Sequence, residues 1–128
     1  MRRMRTALAA LALLLAAGCA VDTAAPARAA ARFHTAVAAH QDEAACAMLT
    51  RQAARKLPDP GETCATALGD LRLGPGGRVT SVEVWGDDAV VRLAGDTVFL
   101  HRFTDGWRVR AAGCEPERDL PYDCALED

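Results

Sequence analysis

Three histidines, one serine and five cysteines are the side chains of this 128-residue chain whose types suit chemistry. His34 and His40 lie on a segment of helical periodicity, six positions apart, and so point in different directions. Each reads as a surface or capping residue, His34 near the domain edge and His40 at a helix break. His101 falls on a strand beside Arg110, and a lone histidine next to a cation is a weak general base. Ser81 has no His and Asp at a spacing that would activate it. Asp87 and Asp88 belong to a turn, and no paired carboxylates stand out. The cysteines show neither C-x-x-C nor H-x-x-x-H partners, which argues against zinc. Nothing assembles a catalytic constellation, so the chain is expected to be no enzyme and to carry neither cofactor nor metal.

The N-terminus carries a different signal. Arg2, Arg3 and Arg5 precede an apolar run over 7–17. A helix of that length spans roughly 16 Å, about half a bilayer core, which suits a signal peptide rather than a transmembrane helix. The run ends Leu15-Ala16-Ala17-Gly18-Cys19, which resembles a bacterial lipobox. Leu15 stands one place further from Cys19 than the family pattern has it, and Ala16 takes that place. The resemblance implies cleavage after Gly18 and a diacylglycerol on the Cys19 thiol. The competing reading is an ordinary secretory signal cut near Ala20 or Ala25.

Giving Cys19 to lipid leaves Cys46, Cys64, Cys114 and Cys124, an even number suited to two disulfides in an oxidising compartment. Of three connectivities, Cys46 with Cys64 and Cys114 with Cys124 is favoured, because each pair is close in sequence and lies within one type of segment.

The composition, 51% apolar and 25% charged, is that of one globular domain. A single Lys, Lys56, and the absence of Ile and Asn reflect GC-rich codons rather than function. Loss of Arg2, Arg3 and Arg5 with the signal takes the formal charge from −2 to −5, which excludes an electrostatic footprint for nucleic acid. The chain thus divides into a signal peptide over 1–18, a lipid-anchored tether over 19–31 and a domain over 32–128. Helical periodicity sets in near Ala29. Short helices are expected over 43–49, from a Thr50 cap to Leu57, and over 63–71. After Gly77 the period becomes two, giving strands over 79–85, 89–94, 97–103 and 107–112.

Turns at Gly95-Asp96 and Asp105-Gly106 set Leu93 opposite Val98, Val91 opposite Leu100, Leu100 opposite Ala111 and Arg102 opposite Val109. One face then carries Val82, Val84, Ala89, Val91, Leu93, Val98, Leu100, Trp107, Val109 and Ala111, with Arg102 as its single charge. That face is the expected core; Arg102 reads first as snorkelling at the sheet end, and on the carrier reading Arg102 with Trp107 would line a ligand pocket under the helices. The opposite face carries Glu83, Trp85, Val90, Arg92, Phe99, His101, Phe103, Arg108 and Arg110. Aromatics mixed with arginine suit an interaction face. The tail from Glu115 reads as polar, pinned by Cys114–Cys124.

This order, helices first and then a curved four-stranded antiparallel meander, resembles the NTF2-like (cystatin-like) α+β fold. The lipobox, the run from Asp42-Glu43-Ala44-Ala45-Cys46 to Thr50, Asp105-Gly106-Trp107 and Pro121-Tyr122-Asp123-Cys124 are similar to small secreted lipoproteins of actinobacteria, a largely uncharacterised family. The resemblance implies an exported protein, lipid-anchored on the extracytoplasmic side of a membrane. The function expected is a non-catalytic binding module for a protein partner or a second copy. A small-ligand carrier, with a cavity between helices and sheet, is the alternative, and an NTF2-like isomerase or hydrolase ranks behind it.

Overall fold

Residues 20–128 are described by a computed structural model, and Cys19 and the signal segment lie outside them. Helix α1 (Ala24–Ala38) opens the fold. Its alanines favour helix, and Pro26 sits in the first turn, where its missing N–H leaves no bond unmade. Ala29, Ala30, Phe33 and Ala36 are buried, the three-and-four spacing of a core-facing stripe. Part of the expected tether over 19–31 is therefore helix, packed into the domain. The helix ends before His40, which adopts a left-handed φ of 55°.

Three short helices follow. In α2 (Asp42–Ala47), Asp42 and Glu43 place negative charge at the positive end of the helix dipole. Thr50 caps α3 (Arg51–Lys56), its hydroxyl accepting the Ala53 N–H at 3.1 Å. Thr63 caps α4 (Cys64–Asp70) in the same way. Cys46 and Cys64 form a disulfide between α2 and α4.

The sheet has five strands in a meander: β1 (Val79–Trp85), β2 (Asp88–Leu93), β3 (Thr97–Phe103), β4 (Gly106–Glu117) and β5 (Leu120–Glu127), every neighbouring pair antiparallel. The fold is α+β. Four strands were expected, and the supposed tail is the fifth. Its alternation (Tyr122, Cys124, Leu126) was hidden by polar neighbours and two prolines. Cys114 and Cys124 stand opposite one another in the β4–β5 register and form the second disulfide.

Two turns sit one residue earlier than expected. Val91 pairs with Val98 and Ala89 with Leu100, while Leu100 pairs with Val109 and Arg102 with Trp107. In the first case Gly95 N–H is drawn to Gly76 O at 2.8 Å, and Ala94 N–H to Arg78 O at 2.8 Å. In the second, Gly106 opens β4 with φ 119°, a conformation reserved for glycine. Each register moves by two residues, and a two-residue slip leaves every side chain on its face.

One assignment of face fails. The β3–β4 register shifts between Leu100 and Phe99, so Leu100 faces Val109 but Phe99 faces Ala111. Arg110 is the extra residue of a β-bulge, which turns Arg110 and Ala111 to the same side. Ala111 thus leaves the expected core face, and Ala112 takes its place in the core.

That core lies between α1 and the sheet. Phe33, Leu49, Leu68, Val91, Val98, Leu100 and Val109 are almost wholly buried. Each contributes about 1.5–3 kcal/mol by leaving water. Residues 48–50 also cover the lower edge of β4: Leu49 bridges Val109 in parallel, Val109 N–H donates to Met48 O at 2.9 Å and Thr50 N–H to Val109 O at 2.8 Å. Strand β5 covers the upper part of the same edge.

Candidate functional site

The outer face of the sheet is not bare. Val90 is buried there, and Phe99 meets Tyr122 edge to face with ring centroids 5.2 Å apart. Tyr122 comes from β5, the element read as a tail. Beside this pair runs a groove of about 440 Å³, with Phe99, Ala111, Pro121 and Tyr122 among its apolar lining and Trp85 on its rim. Trp85 is 54% exposed, the most of any aromatic among the described residues.

Charge closes the groove at one side. His101 Nδ1 lies 2.8 Å from Asp88 Oδ1, and Arg110 Nη1 donates to the same oxygen at 3.0 Å. Arg110 also donates to Asp128 Oδ1 from Nε and Nη2, both at 3.3 Å. Thr50 Oγ1 donates to Asp128 Oδ2 at 3.4 Å. The bulge makes this relay reachable, since it swings Arg110 towards Asp88 and Asp128. The His101 hydrogen bond, with Arg110 behind it, holds Asp88 below the usual carboxylate range.

The remaining expected interaction residues separate. Arg92 is paired with Glu83 at 3.1 Å, and Glu83 first, then Tyr122, raise its pKa. Phe103 is exposed and stacks edge to face on His101 at 4.9 Å. Arg108 leaves the groove altogether: it donates to Asp105 Oδ2 at 2.6 Å and to Ala47 O at 2.8 Å. The outer face therefore gathers Trp85, Phe99, His101 and Arg110, with Arg92 and Phe103 on its margins.

The expected pocket pair, Arg102 and Trp107, does not frame a pocket mouth. Arg102 grips Asp87 Oδ1 through Nε at 3.1 Å and Nη2 at 2.8 Å, and lies 5.5 Å from the centroid of the Trp107 ring. The guanidinium itself lies over the ring, an exposed cation–π contact. Trp107 does border a cavity, with Ala29, Arg32, Met48 and Val109, but its volume is only about 140 Å³. Pockets for small organic ligands start near roughly 300 Å³.

A buried pair escaped the sequence reading. His34 Nε2 sits 2.7 Å from Asp96 Oδ2, with both side chains nearly sealed from solvent. Asp96 Oδ2 also accepts Gly113 N–H at 3.1 Å, and Oδ1 accepts Thr97 N–H at 2.7 Å and Cys114 N–H at 3.0 Å. Burial raises the Asp96 pKa, but the His34 hydrogen bond and the two amides of Gly113 and Cys114 outweigh it and hold the carboxyl low. His34 is thus interior rather than at the domain edge. Its Nδ1 is buried without a partner. A histidine held by a carboxylate is half of a nucleophile-activating arrangement. Here the nitrogen that would take the proton meets neither a hydroxyl nor a thiol, and the carboxylate is saturated by backbone. The pair works as a latch joining α1 to the β2–β3 turn and to β4. Only the Gly95-Asp96 turn pointed towards it, and an Asx residue in a turn is common.

Compared with known proteins, the chain matches no family, no curated protein and no solved structure.

Proposed function

We propose that the chain is an exported lipoprotein, anchored to the extracytoplasmic side of a membrane through Cys19, whose domain is a non-catalytic module that binds a protein segment in the outer-face groove. On this reading the helices followed by a meander form an NTF2-like domain of the secreted actinobacterial kind. The observation that carries the binding reading is the groove itself. It joins an apolar floor at Phe99 and Tyr122 to a fixed cation at Arg110, with an exposed Trp85 on the rim. Buried aromatic and arginine anchors are the side chains that dominate protein interfaces. Both disulfides support an oxidising compartment.

The test has two parts. Intact mass of the protein from its host membranes should show Cys19 as the first residue, carrying diacylglycerol. A photo-reactive phenylalanine at position 99 should give a discrete protein adduct in living cells, and the same group at the exposed Arg118 should not. An unmodified mass sinks the anchor. Equal adducts, or none at position 99, sink the groove.

A further inference from the structure

The two ends of the sheet differ in charge. In a meander the β1–β2 and β3–β4 turns share one end, and here the Arg102–Asp87 pair ties them together. Both tryptophans and Phe103 lie at this end: Trp85 is the last residue of β1, Trp107 the second of β4 and Phe103 the last of β3. The described residues expose only three large hydrophobic side chains, Val21, Trp85 and Phe103. Arg32, Arg51 and Arg55 surround the β3–β4 turn. Arg32 shares a cavity with Asp105 and Trp107, and Arg51 and Arg55 share a groove with Phe103 and Thr104. All three are exposed, and among the described residues none lies within salt-bridge distance of a carboxylate. Asp87 and Asp105 at this end are neutralised by Arg102 and Arg108. The opposite end carries Glu115, Glu117, Asp119 and Asp123 against Arg118, with Arg72 and Arg78 beside the β2–β3 turn, so it lacks the excess of unpaired arginine found at the first end.

Within α1, Ala29 and Arg32 lie towards the basic end. The first half of α1 packs beside Trp107, whereas His34, further along, reaches the β2–β3 turn at the other end. Five residue steps separate Cys19 from Ala24, a reach of at most about 18 Å. We propose that the end formed by the β1–β2 and β3–β4 turns is a docking surface for an anionic lipid membrane, with Arg32, Arg51 and Arg55 meeting lipid phosphates and Trp85 and Phe103 entering the headgroup layer. The orientation rests on the Cys19 anchor, whereas the match of charge and aromatics to the membrane surface stands without it. Arginine clusters are drawn to anionic leaflets, and tryptophan favours the polar–apolar boundary. A domain with a formal charge near −5 would be repelled by such a surface in any orientation that presents the acidic end.

The experiment uses the full mature protein purified from host membranes, its intact mass recorded, then reconstituted into vesicles with brominated acyl chains. Tryptophan fluorescence should be quenched in phosphatidylglycerol–phosphatidylcholine vesicles, far less in phosphatidylcholine alone, and less at high salt. Trp85→Phe should remove most of the quenched signal. Arg32→Ala/Arg51→Ala/Arg55→Ala should weaken docking on the order of 100-fold, at about fivefold for each arginine. Equal quenching in both vesicle types, or none, in protein whose mass includes the lipid overturns docking and leaves the anchor standing. If the mass lacks lipid, the anchor falls, and flotation of the same protein decides docking alone: phosphatidylglycerol-dependent flotation supports it, and its absence overturns it. A stable dimer with unquenched tryptophans assigns this end to a second copy and also overturns the proposal.

Discussion

Asp96 holds His34 with one oxygen, at 2.7 Å from Nε2, while its two oxygens together accept three backbone N–H groups from β3 and β4. One carboxylate therefore fixes the position of α1 against two strands. The segment between α2 and α3 is tied to the sheet separately, by the backbone bonds of Met48 and Thr50 to Val109 and by Arg108 on Ala47 O.

Removing that carboxylate should be costly. Asp96→Ala leaves three amides and a histidine without their acceptor, and a loss of about 3–5 kcal/mol is expected. Asp96→Asn should be milder at neutral pH, because its carbonyl still accepts some of these bonds. Urea unfolding monitored by circular dichroism reads both. A loss below about 1 kcal/mol for Asp96→Ala would remove the latch.

The same group sets an acid response. Its folded pKa lies below the ordinary 3.8, so at neutral pH both folded and unfolded forms are ionised and the stabilisation is complete. As pH falls through the ordinary value the unfolded chain takes up the proton first, and stability drops until the folded carboxyl is itself protonated. Asp88, also lowered, adds to the same window. Urea midpoints taken from neutral pH down to about pH 3 should fall steeply in the parent and less steeply in Asp96→Asn.

Gly76 should tolerate no side chain. A Cβ there would stand 2.6 Å from Cγ and 2.8 Å from Cδ2 of His34, so Gly76→Ala must push the imidazole from Asp96, at about 1–3 kcal/mol. In a His34→Ala background the cost should fall, leaving the tight 3.0 Å approach to the Cβ of residue 34, and in His34→Gly it should largely vanish. Additive losses in the double mutants would place the strain elsewhere.

Groove and core should separate cleanly. Leu100→Ala empties a fully buried site and should cost about 2–5 kcal/mol. Phe99→Ala, on the other side of the same strand, should cost less and abolish partner capture with the melting profile largely kept. Arg102→Ala removes an exposed ion pair and a stacking contact, together about 1 kcal/mol or less, and should leave capture intact.

Each disulfide should contribute roughly 3 kcal/mol. Cys114→Ser/Cys124→Ser should loosen β5 and with it Tyr122, so hydrogen exchange should rise in β5 and groove binding should weaken. Cys46→Ser/Cys64→Ser should loosen α2 and α4 and leave the groove largely in place.

The alternating strands, their turns and the disulfide pairing were legible in the sequence, because tight turns and a period of two leave little freedom. Even the misplaced turns preserved Val91, Val98 and Leu100 on the core face, since a slip of two cannot change a face. What escaped had tertiary causes. The bulge at Arg110 has no local signal in Arg-Ala-Ala-Gly, yet it moved Ala111 outward and built the charge relay. Strand β5 was masked by Pro116 and Pro121. The first turns of α1 looked like a tether because Ala-rich sequence suits linker and helix alike, and only burial against the sheet decides. His34 looked peripheral because its partner lies 62 residues away.

Neither disulfide crosses between the helices and the sheet: Cys46–Cys64 stays among helices, and Cys114–Cys124 stays within one hairpin. Each thiol therefore has its correct partner nearby before any long-range contact forms. Oxidation can follow export without waiting for the layers to meet, and a wrong pairing would have to join segments that native topology keeps apart. The layers themselves are joined by the connecting chain and by contacts that can open and reclose, so this domain can part along that seam without breaking or reshuffling a single covalent cross-link.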